Sequence, residues 1–166
     1  AAGLGEQRDE LTPGAFIGGF LPFLFALLCA GDGGYAARWP LLAGYDALLS
    51  LALCVIALRR GPLILLPAGA AATALTLGQW APAQLRAGGD LAVAGTAVAL
   101  AVLYHIPAAL RSFAPALLRR LRPDELTSSG VLIVEAAALI LSGTVYFLAL
   151  SLGGHGHGAG VFLALL

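Results

Sequence analysis

The stretch Ser128–Ser151, SSGVLIVEAAALILSGTVYFLALS, decides the fold. It stays apolar for more than the roughly 20 residues that cross a bilayer, yet it holds one carboxylate, Glu135. Strands of a membrane barrel alternate apolar and polar residues over about ten positions. This run does not alternate. Backbone groups in lipid must be satisfied within their own segment, which leaves a helix.

The composition outside that stretch points the same way. Of 166 residues, 60% are hydrophobic and only 11% charged, and the mean hydropathy is +0.92. Soluble domains carry about 25% charged residues, so these charges are too few to coat a water-facing surface. Net charge is zero, whereas nucleic-acid-binding domains usually show a basic face, so no nucleic-acid partner is expected. All nine cations are Arg, and Lys, Asn and Met are absent. The Ala, Gly and Arg bias fits a GC-rich genome. A chain that opens without Met and stops inside the apolar GAGVFLALL reads as a piece of a longer protein. The acidic GEQRDE ahead of the first apolar run is unlike a signal peptide, which begins basic. Cys29 and Cys54 lie in apolar segments and read as small hydrophobic side chains, the alternative being a disulfide or metal pair.

Length and flanking residues mark spans at about 15–30, 40–58, 62–80, 91–110 and 130–152, with a sixth begun at 158–166. The expected fold is therefore all-α: a polytopic transmembrane helical bundle of about five full spans plus the start of a sixth. Arg counting orients it. The loops after the second and fourth spans hold Arg59, Arg60, Arg111, Arg119, Arg120 and Arg122, against Arg38 and Arg86 in the alternate loops. The richer set belongs in the cytoplasm. The N-terminus is then cytoplasmic as well, and the expected home is a bacterial inner membrane. In the basic loop 111–129, Phe113, Leu117, Leu118 and Leu121 recur at helical spacing among Arg residues. That pattern fits either a short interfacial helix on anionic headgroups or an extension of the fourth helix.

Three ionisable groups fall inside spans: Asp46, His105 and Glu135. Charge in hydrocarbon is costly, so such groups usually face the bundle interior and pair. Glu135 is five residues inside Gly130 and His105 five residues before Leu110, each about 8 Å from the inner boundary. They are placed to meet, and as a pair could carry a proton. The plainer reading is an interhelical hydrogen-bonded clamp. Ser128, Ser142 and Tyr146 share a helical stripe with Glu135, which turns that stripe toward neighbouring helices. Asp46, followed at helical spacing by Ser50 and Cys54, either snorkels to the outer interface beside Tyr45 or lines a polar cavity. The snorkel is the simpler expectation. His155 and His157 supply at most half of a tetrahedral metal site and read as an outer turn. Phosphate-cradling Gly loops, HExxH and G-x-S-x-G are absent, so no cofactor is expected.

One block is more specific. Phe16–Pro67, FIGGFLPFLFALLCAGDGGYAARWPLLAGYDALLSLALCVIALRRGPLILLP, resembles the large prokaryotic multi-pass proteins known only as membrane proteins of unknown function. Gly18, Gly19, Phe20, Leu21 and Pro22 match the family's opening, without its Thr, and AGYDALLSLALCVIALRRG matches its next span and basic close. Gly61-Pro62 departs from the Trp that members often carry. From Leu91 onward the likeness is one of hydropathy and order. The resemblance implies a long many-helix parent and lends no catalytic residues.

Taken together, these features predict a non-enzymatic membrane segment of a larger integral protein, its work structural or transport-related. Its partners would be the lipid bilayer and other helices of the parent chain or a membrane complex. Two alternatives differ in class. One is a proton-coupled secondary transporter using Glu135 and His105, with Pro22 and Pro107 marking bent helices. The other is a cell-envelope enzyme acting on lipid-linked substrates, with Asp46 at its site.

Overall fold

Leu42, Asp46, Ser50, Leu53, Cys54 and Ala57 recur every three or four residues, the spacing that puts side chains on one helical face. In the computed structural model they do lie on one buried face, that of α3 (Trp39–Arg59). The structure describes residues 18, 20–59, 62–121 and 128–153, and among these it is helical without strands. Ahead of α3 come α1 (Phe20–Gly31) and the single turn α2 (Gly33–Ala36). After it come α4 (Leu65–Arg86), α5 (Asp90–Phe113), α6 (Pro115–Leu121) and α7 (Ser128–Gly153).

Local chemistry sets the junctions. Asp32 caps α2, its Oδ1 accepting from the backbone N–H of Gly34 at 2.9 Å and Tyr35 at 3.2 Å. At the end of α4 the chain reverses through Gly88, whose φ of 77° favours a residue without Cβ. There Gly88 N–H donates to Leu85 and Gly89 N–H to Gln84, the paired bonds of a Schellman close. Ala114 separates α5 from α6, so the basic loop contains a helix of its own rather than an extension of α5.

The packing is asymmetric. α4 and α5 touch each other, and each also touches both α3 and α7. Among the described residues α3 and α7 are not in contact. The central pair α4–α5 is thus flanked by α3 on one side and α7 on the other. α1 joins through the edge-on contact of Phe25 with Tyr45 and through Gly31 against the Gln79 side chain.

Among the described residues three helices, α3, α5 and α7, are long and apolar enough to cross a membrane, fewer than the five full spans expected from the sequence. The third expected span, 62–80, is displaced to Leu65–Arg86. It is about 33 Å long but diluted by Thr73, Thr76, Gln79 and Gln84. Part of the reason is positional: α4 has neighbours on several sides, and Thr73 and Thr76 are buried against them, whereas Gln79 is exposed. The described part of the first span, α1, covers only about 18 Å. The sixth span, His155, His157, Arg60, Arg122 and the N-terminal acidic segment lie outside the described residues. α5 runs unbroken through Pro107, which is buried.

The molecule wears its apolar residues outward. Leu41, Leu48 and Ile56 on α3, Leu91 and Val102 on α5, and Leu132, Leu139 and Phe147 on α7 are exposed. The buried polar side chains are instead Asp46, Ser50, Thr73 and Thr76, all between helices.

Candidate functional site

The interior polar groups come from three helices. On α3, Asp46 and Ser50 are one turn apart on the buried face. On α4, Gly69, Thr73, Thr76 and Trp80 form the facing buried stripe. From α5 comes Tyr104, which has no exposed surface. Ser50 Oγ lies 3.1 Å from Thr73 Oγ1, and Thr73 Oγ1 lies 3.5 Å from the Tyr104 hydroxyl. Three hydroxyls from three helices therefore meet in a row. Gly69 makes room for the last: a Cβ there would stand 2.7 Å from Tyr104 Oη and 2.8 Å from Leu53 Cδ1.

One turn along α3 from that row sits Asp46. Only 2% of it is exposed, and neither carboxylate oxygen has a hydrogen-bond partner. It lines a cavity of about 10 Å³ with Leu42, Ala43, Thr76, Leu77, Trp80 and Thr96. The Trp80 indole N–H is likewise buried without an acceptor. Thr76 donates its hydroxyl hydrogen to the Ala72 carbonyl at 3.1 Å, which leaves the oxygen's lone pairs available. An unsatisfied carboxylate and the residue that carries an unsatisfied donor therefore line the same small cavity. The snorkel expected for Asp46 is corrected: it points into the bundle. Its helical face carries it toward α4, while Tyr45 on the next face meets Phe25.

Glu135 and His105 are not brought together as a pair. Glu135 Oε1 accepts from Arg111 Nη2 at 2.7 Å, with the two side chains 40% and 38% exposed. Arg111 stands at the end of α5 and satisfies the carboxylate at the rim, outside the core. His105 Nδ1 lies 2.7 Å from the Ala101 carbonyl. A carbonyl only accepts, so Nδ1 carries the hydrogen and donates. His105 Nε2, 3.2 Å from Ser142 Oγ, then accepts from that hydroxyl when the ring is neutral. The α5–α7 adjacency expected for these residues is present, but it builds two separate contacts. Tyr146, expected on the inward stripe, is 67% exposed. The buried face of α7 is instead Val134, Ala137, Ala138, Leu141, Val145 and Leu148, which leaves Glu135 and Ser142 at its margin and Tyr146 beyond it.

Thr73, Thr76, Trp80, Thr96, Tyr104 and Arg111 were not anticipated as site residues. The signal for the α4 members was the three-to-four spacing of Thr73, Thr76 and Trp80, a polar stripe on an otherwise apolar run. Cys29 and Cys54 are buried free thiols. Among the described residues, no three His, Cys, Asp or Glu side chains gather as a metal cluster. No protein-family model, curated protein or solved structure matches this chain.

Proposed function

We propose that this chain is a membrane-embedded helical segment of a larger integral protein of a bacterial inner membrane, N-terminus cytoplasmic, with structural or transport-related work. The parent would belong among the large prokaryotic multi-pass proteins that the Phe16–Pro67 block resembles. The observation that carries the reading is the inverted distribution of polarity. Leu41, Leu48, Leu132, Leu139 and Phe147 face outward, while Asp46, Ser50, Thr73 and Thr76 are buried. Soluble monomers rarely expose apolar patches beyond a few hundred Å². In a bilayer the same surface is solvated by acyl chains, and polar groups gain by turning toward each other.

Arginine placement supports the orientation. Arg59 and Arg111 close α3 and α5, while Arg86 closes α4 and Arg38 precedes α3. Successive crossings put the first two on one side and the last two on the other, and in the sequence Arg60, Arg119, Arg120 and Arg122 follow the first two, which makes the bias six against two. Of the two kinds of work, transport is favoured by the buried carboxylate and the hydroxyl row, which a scaffold of packed apolar helices does not need.

Carbonate extraction of membranes tests the insertion: the chain stays with the lipid pellet, and release into the supernatant refutes the reading. Ala87→Cys and Ser112→Cys test orientation. An impermeant maleimide labels position 87 in intact cells and position 112 only after lysis. The reverse pattern refutes the cytoplasmic assignment.

A further inference from the structure

Two wide grooves run between helices on the outward surface, and they differ in charge. The groove between α3 and α5, of about 730 Å³, holds no charged side chain. The groove between α4 and α7, of about 610 Å³, ends in Arg86. Two glycines hollow it out: among the described residues, a Cβ at Gly78 or at Gly143 would meet no atom within 4 Å. The hydroxyls on its α7 wall turn back onto their own helix. Thr144 donates to the Ile140 carbonyl at 2.9 Å and Ser151 to the Phe147 carbonyl at 3.0 Å. Along its length the groove therefore offers apolar surface, and at one end a guanidinium.

Length and charge together point to a lipid. On α4 the groove runs from Ala74 to Arg86, about 18 Å of helix. Half of a bilayer's hydrocarbon core is about 15 Å thick, so the groove spans one leaflet. Arg86 is the last residue of α4 and stands where headgroups begin, while Ala74 lies near the midplane. Among the described residues the one ion pair is Arg111 with Glu135. Asp90, the nearest carboxylate to Arg86 along the chain, makes none with it. A guanidinium presents a planar fork of donors that matches a phosphate. A further helix fits less well: at about 10 Å across it fills about 1,400 Å³ over the same length, more than twice the groove's volume.

We propose that the α4–α7 groove binds one anionic phospholipid, with an acyl chain laid along Gly78 and Gly143 and the phosphate on Arg86. The site rests on the membrane reading and adds a ligand to it. With the orientation given above, this lipid belongs to the outer leaflet.

The test places the full chain in phosphatidylcholine nanodiscs. Phosphatidylglycerol carrying a photoactivatable diazirine in its acyl chain is titrated in, and labelled residues are located by mass spectrometry after illumination. Saturable labelling is expected on α4 between Ala74 and Arg86 and on α7 between Ile140 and Ser151. Arg86→Gln should raise the half-saturating probe concentration about tenfold, the scale of a hydrogen bond to a charged group. Gly143→Leu fills the groove from α7 and should abolish the labelling. Gly44→Leu, equally unobstructed but in the α3–α5 groove, should leave it unchanged.

Labelling that is absent, or spread evenly over the outward faces of α3, α5 and α7, overturns the proposal. So does labelling that survives either Arg86→Gln or Gly143→Leu unchanged, or that falls equally with Gly44→Leu. A phosphatidylcholine probe with the same chains that labels the groove equally well also overturns it. If Gly143→Leu instead dissociates an oligomer in light scattering, the groove belongs to a second copy of the chain and the lipid site is refuted. A chain that resists carbonate extraction but labels evenly refutes the site and leaves the membrane reading standing.

Discussion

Gly69→Ala puts one methyl group where α3, α4 and α5 come closest, and its cost can be worked from the contacts. The new Cβ would stand 2.7 Å from Tyr104 Oη and 2.8 Å from Leu53 Cδ1, whereas ordinary contact begins at 3.4 Å. The Leu53 tip is the end of a flexible side chain and can rotate away. The Tyr104 ring is fully enclosed, so its hydroxyl moves only by pushing against packed neighbours. Its contact with Thr73 is already 3.5 Å long and is lost when the hydroxyl retreats from α4. Overpacking of this kind costs about 1–3 kcal/mol, and the lost hydroxyl contact adds about 0.5–1.5 kcal/mol. Replacing Gly by Ala within a helix returns about 1 kcal/mol. The net expectation is a destabilisation of about 1–3 kcal/mol. Unfolding of the chain in mixed micelles by increasing SDS, followed by circular dichroism, measures it. Tyr104→Phe removes the atom struck, so in that background the cost of Gly69→Ala should fall by about 1 kcal/mol, the coupling expected of side chains in contact. Two results refute the reasoning: a Gly69→Ala protein as stable as the parent, or a cost that Tyr104→Phe leaves unchanged.

The same unfolding assay checks three further expectations. Gly88→Ala forces a side chain into the left-handed region at φ 77° and should cost about 1–2 kcal/mol, whereas the neighbouring Ala87→Gly should cost less. Asp32→Ala removes the acceptor for the Gly34 and Tyr35 N–H groups and should cost about 1 kcal/mol, with Asp32→Asn recovering most of it. Glu135→Gln weakens an ion pair whose partners are 38% and 40% exposed, so it should change stability by no more than about 1 kcal/mol. A loss well above that would mean that Glu135 carries more of the structure than its half-exposed contact with Arg111 accounts for.

The helices that face outward are legible in the sequence because lipid imposes composition and length together. The run 40–58 becomes Trp39–Arg59, 91–110 becomes Asp90–Phe113, and 130–152 becomes Ser128–Gly153. α4 is harder to read, because a helix with neighbours on several sides is released from that rule. Hydropathy ends its span at Trp80, whereas the helix continues through Pro82 to a glycine-closed end beyond Arg86. The inward direction of Asp46 was partly visible in the four-residue spacing of Asp46, Ser50 and Cys54. What hydropathy lacks is the angle at which α3 meets α4, and that angle separates a buried carboxylate from a snorkelling one. Glu135 shows the converse. Arg111, six residues beyond His105 on α5, takes its carboxylate in a 2.7 Å ion pair. Pairings between helices depend on rotation about each axis, and a single sequence does not encode that in its hydropathy.

The claim beneath all of this is that the outward faces of α3 and α7 are solvated by acyl chains. A nitroxide at Leu48→Cys or Leu139→Cys, positions 69% and 70% exposed, measures it directly in nanodiscs of a chain carrying Cys29→Ala and Cys54→Ala. Collision rates with oxygen, which concentrates in the bilayer, should exceed those with a water-soluble nickel chelate at both sites. Faster collisions with the chelate would place these leucines in water and contradict the account.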